Sequence, residues 1–350
     1  MAHRALLGPI DILLLIGLLV GTGFVAYPFV SDAYVTQRNQ ALLGRYAQRE
    51  TRSKARADAR QFAHYQAQNR KLAAANAQPG LARFSAAVAD RGTNAKRDDR
   101  RLASETIARL TIPAIGADLP VFDQTTDWLL QFGACRLNGS SYPTGGAGTH
   151  AVISAHRGVP NATLFTHLPA LRRGDRFYLT IGGRKLAYRV SERHVTAPSD
   201  VRYLRRVPGR DLVTLITCTP YMINSHRLLV TGERVPYTAA DAQAVAATSR
   251  FKRLVPWLWA IGIAAFAWLY WRVARLLMVT RRDYALTLRL APAAELQLRT
   301  GRFGRRRHVT ADAAGNVRVT LPGATYRFHT ASGPHRAYVR RIRDQTLTVR

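Results

Sequence analysis

The chain has 350 residues, 52 of them Lys or Arg against 21 Asp or Glu, for a formal charge of +31. Charge alone would point to a nucleic-acid protein, but no RNA or DNA motif accompanies it. An apolar fraction of 47% and two long uncharged runs argue instead for a membrane protein.

The first run, Ile12 to Val30, is 19 residues without a charge. As a helix rising about 1.5 Å per residue it can cross about 30 Å of hydrocarbon. It exceeds the usual apolar part of a signal peptide, and the following YPFVSDAY has no small-x-small cleavage pattern, so residues 1–31 are expected to be an uncleaved anchor. From Gln37 to about Arg109 the chain is rich in Ala, Arg, Gln and Asn and nearly free of β-branched residues, a helical composition. Gln78-Pro79-Gly80 divides this region into a helix over about Asp32 to Ala77 and a looser second part. Taken alone, residues 32–106 read as a stalk that spaces the next domain from the membrane.

Residues 107–236 alternate short strands with turn residues: ARLTIP, DLPVF, HAVISA, RFYLTI, LAYRVSERHV, LVTLIT and RLLVTGER. So many strands with so few helical intervals predict a mainly β fold, a closed, antiparallel-rich β-barrel. About 130 residues suffice to bury one core without disulfide support.

Two of these strands carry chemistry. If Leu212–Thr217 and Leu228–Gly232 pair antiparallel, Cys218 at the exit of the first faces Arg227 at the entry of the second. A thiol beside a fixed guanidinium is held where thiolate is favoured, or where an oxyanion formed by thiolate attack is stabilised. His156 ends the apolar run AVISA, where a strand would deliver an imidazole to the barrel mouth. His150, His167, His194 and His226 compete for its role. Adjacent strand residues point to opposite faces, so if Arg227 faces Cys218, His226 points away. Asp175 and Asp211 lie near turns and read as capping or solvated groups. The remaining cysteine, Cys135, is expected to be a buried free thiol, with a masking disulfide to Cys218 as the alternative.

After a linker over 237–253, Leu254 to Trp271 forms the second uncharged run, in an expected membrane helix over 254–279. Arg272, Arg275, Arg281 and Arg282 beyond it, against Lys252 and Arg253 before it, favour a cytoplasmic far end. From Arg272 onward the chain holds 17 Arg against four acidic residues. YALTLRL, NVRVTLP and TYRFHT alternate, so the basic tail 280–350 is expected to contain a small β-domain, with Arg302–His308 free to lie on anionic lipid.

Cys218-Thr-Pro-Tyr followed by Asn224-Ser-His-Arg227 resembles the active-site segment of class C sortases, the pilin-polymerising transpeptidases of Gram-positive bacteria. AVISAHRGVPNATLFTHLPALRRGDRFYL is similar to that family's histidine segment, and LTIPAIGADLPVF and LNGSSYPTGGAGTH resemble it in the same order, so the likeness is collinear from Leu110 to Arg234. The stretch TQRNQ after the first run also looks like the family's start. The resemblance implies a sortase-type barrel outside the cell between two membrane helices, with both termini cytoplasmic. It implies Cys218 as nucleophile, His156 as general acid and base, and Arg227 as oxyanion stabiliser or substrate-orienting group, with no cofactor or metal. Its expected partners are LPXTG-type surface or pilin proteins cleaved after Thr, an acceptor amine such as a pilin Lys or wall precursor, and the bilayer, but no nucleic acid.

The family's lid carries an Asp-Pro-aromatic motif that this chain lacks, so residues 32–106 are either a stalk or a diverged lid built on Phe84. Cys135-Arg136 stands where the family has Gly-His, and Met222 where it often has Gly. Two other readings stay open: a cysteine protease, in which water resolves the thioester, and a non-catalytic sortase-like protein that binds peptide or wall polymer.

Overall fold

The computed structural model describes residues 7–52, 55–81, 84–86, 96–159, 162–300 and 306–350. They form two compact units, residues 26–260 and residues 1–25 with 261–350.

The first unit is built on a closed eight-stranded barrel. Its strands are β1 (Thr106–Ile112), β2 (Ala117–Phe122), β3 (Ala134–Arg136), β4 (Thr149–Ser154), β5 (Arg176–Ile181), β6 (Arg184–Thr196), β7 (Asp211–Thr219) and β8 (His226–Val235). They run in the order β1-β2-β3-β4-β7-β8-β6-β5, closed by β1 on β5. Only β2–β3 and β4–β7 pair in parallel. Seven of these strands coincide with apolar, β-branched runs of the sequence. The strand β3, three residues of Ala-Cys-Arg, has no such run and exists because β2 and β4 flank it.

Strand residues alternate between two cores, as the two-residue period requires. Along β7, Val213 and Leu215 enter one, while Ile216 and Cys218 enter the other with Phe84, Leu130, Val152 and Leu229. Because both faces are covered, β1 and β2 are buried along nearly their whole length.

Residues 32–77 pack onto this barrel, which corrects the expectation of a spacer. Within the helix expected over Asp32 to Ala77 lie most of α1 (Pro9–Arg52) and all of α2 (Ala55–Ala74), with 53–54 outside the described residues. Amides dock both. Asn39 Nδ2 donates to the Phe132 carbonyl at 2.8 Å and Gln40 Nε2 to Asp118 at 2.9 Å. Asn69 donates to the Tyr142 carbonyl and accepts from the Tyr142 N–H at 2.6 Å. Leu42, Leu43, Phe62 and Tyr65 are buried around them. Arg109 of β1 grips the buried Asp118 of β2 through Nε and Nη2, at 2.7 and 2.6 Å, and Nη2 also reaches Ser249. Ser249 belongs to α5 (Ala239–Thr280), so 239–253, expected as linker, is helical. Two short helices, α3 (Asp99–Glu105) and α4 (Asp127–Leu130), begin at capping residues Asp98 and Thr126.

The second unit holds a five-stranded sheet, β11-β10-β13-β14-β15, and a two-stranded sheet of β9 and β12. Their ranges are β9 Asp283–Arg289, β10 Glu295–Thr300, β11 Arg306–Thr310, β12 Asn316–Pro322, β13 Tyr326–Thr330, β14 Gly333–Tyr338 and β15 Thr348–Val349. Tyr284, Leu286, Leu298, Leu321 and Phe328 form its core. The tail is therefore a small β-domain. Of the Arg302–His308 stretch, 302–305 lie outside the described residues and Arg306–His308 are in β11.

Candidate active site

The β7 sequence DLVTLITCT is apolar and β-branched, and β8 answers it across an antiparallel ladder. In that ladder Cys218 is the register partner of Arg227, and Thr219 that of His226. Cys218 is 2% exposed and Arg227 4%. In the parallel pair beside them, Ser154 is level with Ile216. The alignment continues when the Ala155 N–H donates to the Ile216 carbonyl and Thr217 Oγ1 donates to the Ala155 carbonyl. His156 lies two residues beyond the end of β4 at Ser154, and Cys218 two residues beyond Ile216 in β7. Three neighbouring chain segments thus deliver thiol, imidazole and guanidinium to one end of the barrel.

Arg227 is held by its own turn, Nη1 donating to the carbonyls of Asn224 and His226 at 2.9 and 3.0 Å. Nη2 donates to Ser85 Oγ at 3.2 Å, and the guanidinium carbon lies 5.5 Å from the centre of the Phe84 ring. Phe84 itself is fully buried. Among the described residues, Arg227 Nε is buried without a hydrogen-bond partner. An unmet buried donor is costly, so this N–H is a standing site for an acceptor oxygen.

Burial pushes the Cys218 thiol above its ordinary range, against the opposing pull of Arg227 and Arg157. Burial also lowers His156, against the weaker pull of Asp127. Both directions favour the uncharged forms of the two groups.

Arg157 was not singled out from sequence. Its Nη1 donates to the Cys218 carbonyl at 3.3 Å and to Thr219 Oγ1 at 3.0 Å, and its guanidinium lies over the Tyr221 ring. The available signal was its place directly after His156. The competing histidines have other work. His150 is buried between the Arg205 carbonyl and Thr214 Oγ1. His194 stacks on Tyr203, His167 precedes a 3-10 turn, and His226 is exposed beside Ser225. Cys135 and Cys218 are both free and buried, and burial pushes the Cys135 thiol far up. Asp211 accepts from Gly146 N–H and Tyr188 Oη, and Asp175 from the Arg172 N–H. Met222, where the resembling family often has Gly, sits at φ 66°, a left-handed conformation that costs a non-glycine residue about 1 kcal/mol.

Residues 110–235 match the sortase domain family. A solved sortase C1 of Streptococcus agalactiae is 38% identical over 58% of this chain and 98% of its own, with a TM-score of 0.49. The chain belongs to the sortase family. Sortase C-1 of Actinomyces oris is 39% identical to this sortase over 51% of the present chain and 99% of its own, with a TM-score of 0.43. Sortase A of Bacillus anthracis is 29% identical over 131 residues, and a sortase A of S. agalactiae 28% over 116. The sortase spans 60% and 47% of the lengths of these two curated relatives.

Proposed function

We propose that this sortase is a membrane-anchored cysteine transpeptidase of the pilus-assembling class. It cleaves an LPXTG-like sorting signal after Thr and passes the acyl group to an amine, most often a pilin lysine. What supports the reading is the register pairing of Cys218 with Arg227, with His156 two residues past the end of β4, the strand that pairs with β7.

The chemistry follows from that placement. His156 takes the Cys218 proton, and the thiolate adds to the Thr carbonyl carbon. The carbonyl oxygen becomes an oxyanion that accepts from Arg227, whose Nε meets no partner among the described residues. Collapse breaks the Thr–Gly amide, the leaving nitrogen takes the proton from the imidazolium, and a Cys218 thioester remains. An acceptor amine attacks it, giving its proton to His156 and releasing the thiolate. Arg157 holds the Cys218 backbone still during both steps.

The segment with Leu81, Phe84 and Ser85 is a lid, and it must leave before a peptide enters. Two helices, within Pro9–Gln48 and Ala239–Thr280, are long and apolar enough to cross a membrane, with 6% and 0% of their apolar windows buried. Ile10, Leu13, Phe24, Leu258, Ile261 and Trp268 are largely exposed on them. Faces of that kind suit lipid, which supports a bilayer anchor with the barrel outside and both ends of the chain inside. The collinear resemblance to class C sortases from Leu110 to Arg234 supports the pilus assignment.

The test is to incubate the purified full chain with an LPXTG-type peptide and a lysine-containing peptide. The joined product should form, and should vanish in Cys218→Ala. Hydrolysis without joining would make the protein a protease. Binding without cleavage, persisting after Phe84→Ala, would make it a binding protein.

A further inference from the structure

A groove of about 1510 Å³ lies within the second unit, between the C-terminal part of α5 and the β13–β14 hairpin. Its lining includes six arginines and two histidines and no acidic side chain. Arg272 and Arg275 come from the helix, Arg327 and Arg336 from the hairpin.

The hairpin arginines belong to a longer row. Arg327 is the register partner of Arg336 on one side and of Arg299 on the other, and Arg299 is also the partner of Arg306. Register partners point to the same face, so four guanidinium stems cross β11, β10, β13 and β14 side by side on the face opposite the buried Leu298 and Ala337. Like charges directly opposite each other destabilise a sheet. Among the described residues, neither Arg327 nor Arg336 meets a carboxylate to relieve it. Arg327 and Arg336, side by side at the groove, are therefore open to an anion from outside.

The opposite wall indicates which anion. Trp268, Leu269 and Leu276 are 61%, 55% and 61% exposed along the helix. Arg272 lies 5.6 Å over the Trp268 ring and Arg275 5.8 Å over that of Trp271, each four residues further along. Aromatic rings capped by cations at the end of an apolar helix match the depth at which acyl chains give way to head groups. Free phosphate would leave this apolar wall unused, and a nucleic acid would have to be laid against it.

We propose that the groove holds an anionic phospholipid, with its phosphate on the guanidinium groups of Arg327 and Arg336 and its chains along Trp268 and Leu269. The inference rests on the reading that α5 crosses a bilayer. Arginine suits the task because its planar fork binds phosphate through two parallel hydrogen bonds. The bound lipid would tie the small β-domain to the membrane surface and neutralise Arg327 and Arg336.

The test reconstitutes the full chain in phosphatidylcholine vesicles and follows quenching of its tryptophans by brominated lipid at equal mole fraction. Brominated phosphatidylglycerol should quench about twofold more than brominated phosphatidylcholine, since basic side chains enrich anionic lipid around them. Arg327→Gln with Arg336→Gln should bring that ratio to one, while Arg289→Gln with Arg318→Gln, equal in charge but away from the groove, should leave it. In lipid-free detergent the Arg327/Arg336 double variant should melt no lower than the parent, because it removes a repulsion. A ratio of one in the parent, or a ratio unchanged in the double variant, overturns the proposal and leaves the anchor standing. No quenching by either lipid overturns both. Loss of the excess on adding soluble glycerol phosphate or a short RNA assigns the groove to that ligand and overturns the lipid.

Discussion

Arg227 donates through Nη2 to the hydroxyl of Ser85, which precedes it by 142 positions, at 3.2 Å. The guanidinium placed opposite the nucleophile is thereby engaged by the segment that also buries Phe84 against it. Burial is the largest cause of the rise of the Cys218 thiol, and Phe84 belongs to the same buried cluster.

Phe84→Ala with Ser85→Ala should therefore hydrate Cys218 and lower its pKa. One unit corresponds to about tenfold more thiolate at pH 7 to 8, so alkylation by iodoacetamide should accelerate by about that factor. The rate is read as single-adduct formation by intact mass. An unchanged rate across this pH range would show that Phe84 and Ser85 do not control access.

Arg227→Ala should lower kcat/KM for peptide cleavage by about 10²–10³, the effect of removing one oxyanion donor. Arg227→Lys should recover little, because an ammonium has no counterpart to Nε aimed from a fork held by the Asn224 and His226 carbonyls. His226→Ala, changing an exposed ring, should leave kcat/KM within about twofold of the parent, since surface changes are usually small. Recovery of most activity by lysine would reduce Arg227 to a point charge.

Asp118 ties α1, β1 and α5 together through Gln40, Arg109 and Ser249. Its side chain is 0% exposed and that of Arg109 16%. Asp118→Ala leaves the guanidinium unpaired and should cost about 3–5 kcal/mol in denaturant unfolding of the full chain in detergent. A loss below about 1 kcal/mol would mean that water already solvates the pair.

Burial lowers the pKa of His150, partly offset by the Arg205 carbonyl. The unfolded chain then binds a proton that the folded chain refuses. Stability from this residue is present above the ordinary histidine pKa of about 6.5 and is lost as pH falls below it. His150→Gln should lower the thermal midpoint at pH 7.5 but flatten its fall between pH 7.5 and 5.5. A pH slope as steep as the parent's would place the sensitive group elsewhere, with His156 next in line.

Much of the barrel was readable because its strands are apolar, β-branched runs, and the Cys218–Arg227 pairing followed from two such runs and the turn between them. What escaped were features resting on single polar residues in unremarkable surroundings. Asn39, Gln40 and Asn69 look like solvated helix positions, yet they are the groups that dock the helices. Ser85 acts from an Ala-rich stretch without the family's Asp-Pro-aromatic motif, so no local pattern marks it, and its neighbour Phe84 was reached only as one of two readings of that region. Strand β3 has three residues and is set by its neighbours, and the arginine row of the second unit appears only once four strands are in register.

The central claim is that Cys218 forms the acyl-enzyme. The most direct measurement is intact mass of the full chain after brief exposure to an LPXTG-type peptide without acceptor amine, followed by fragmentation to locate the adduct. The account requires a mass increase equal to the peptide up to Thr, carried on Cys218, absent in Cys218→Ala, and discharged by added amine. An adduct on another residue, or peptide cleavage that persists in Cys218→Ala, would contradict it.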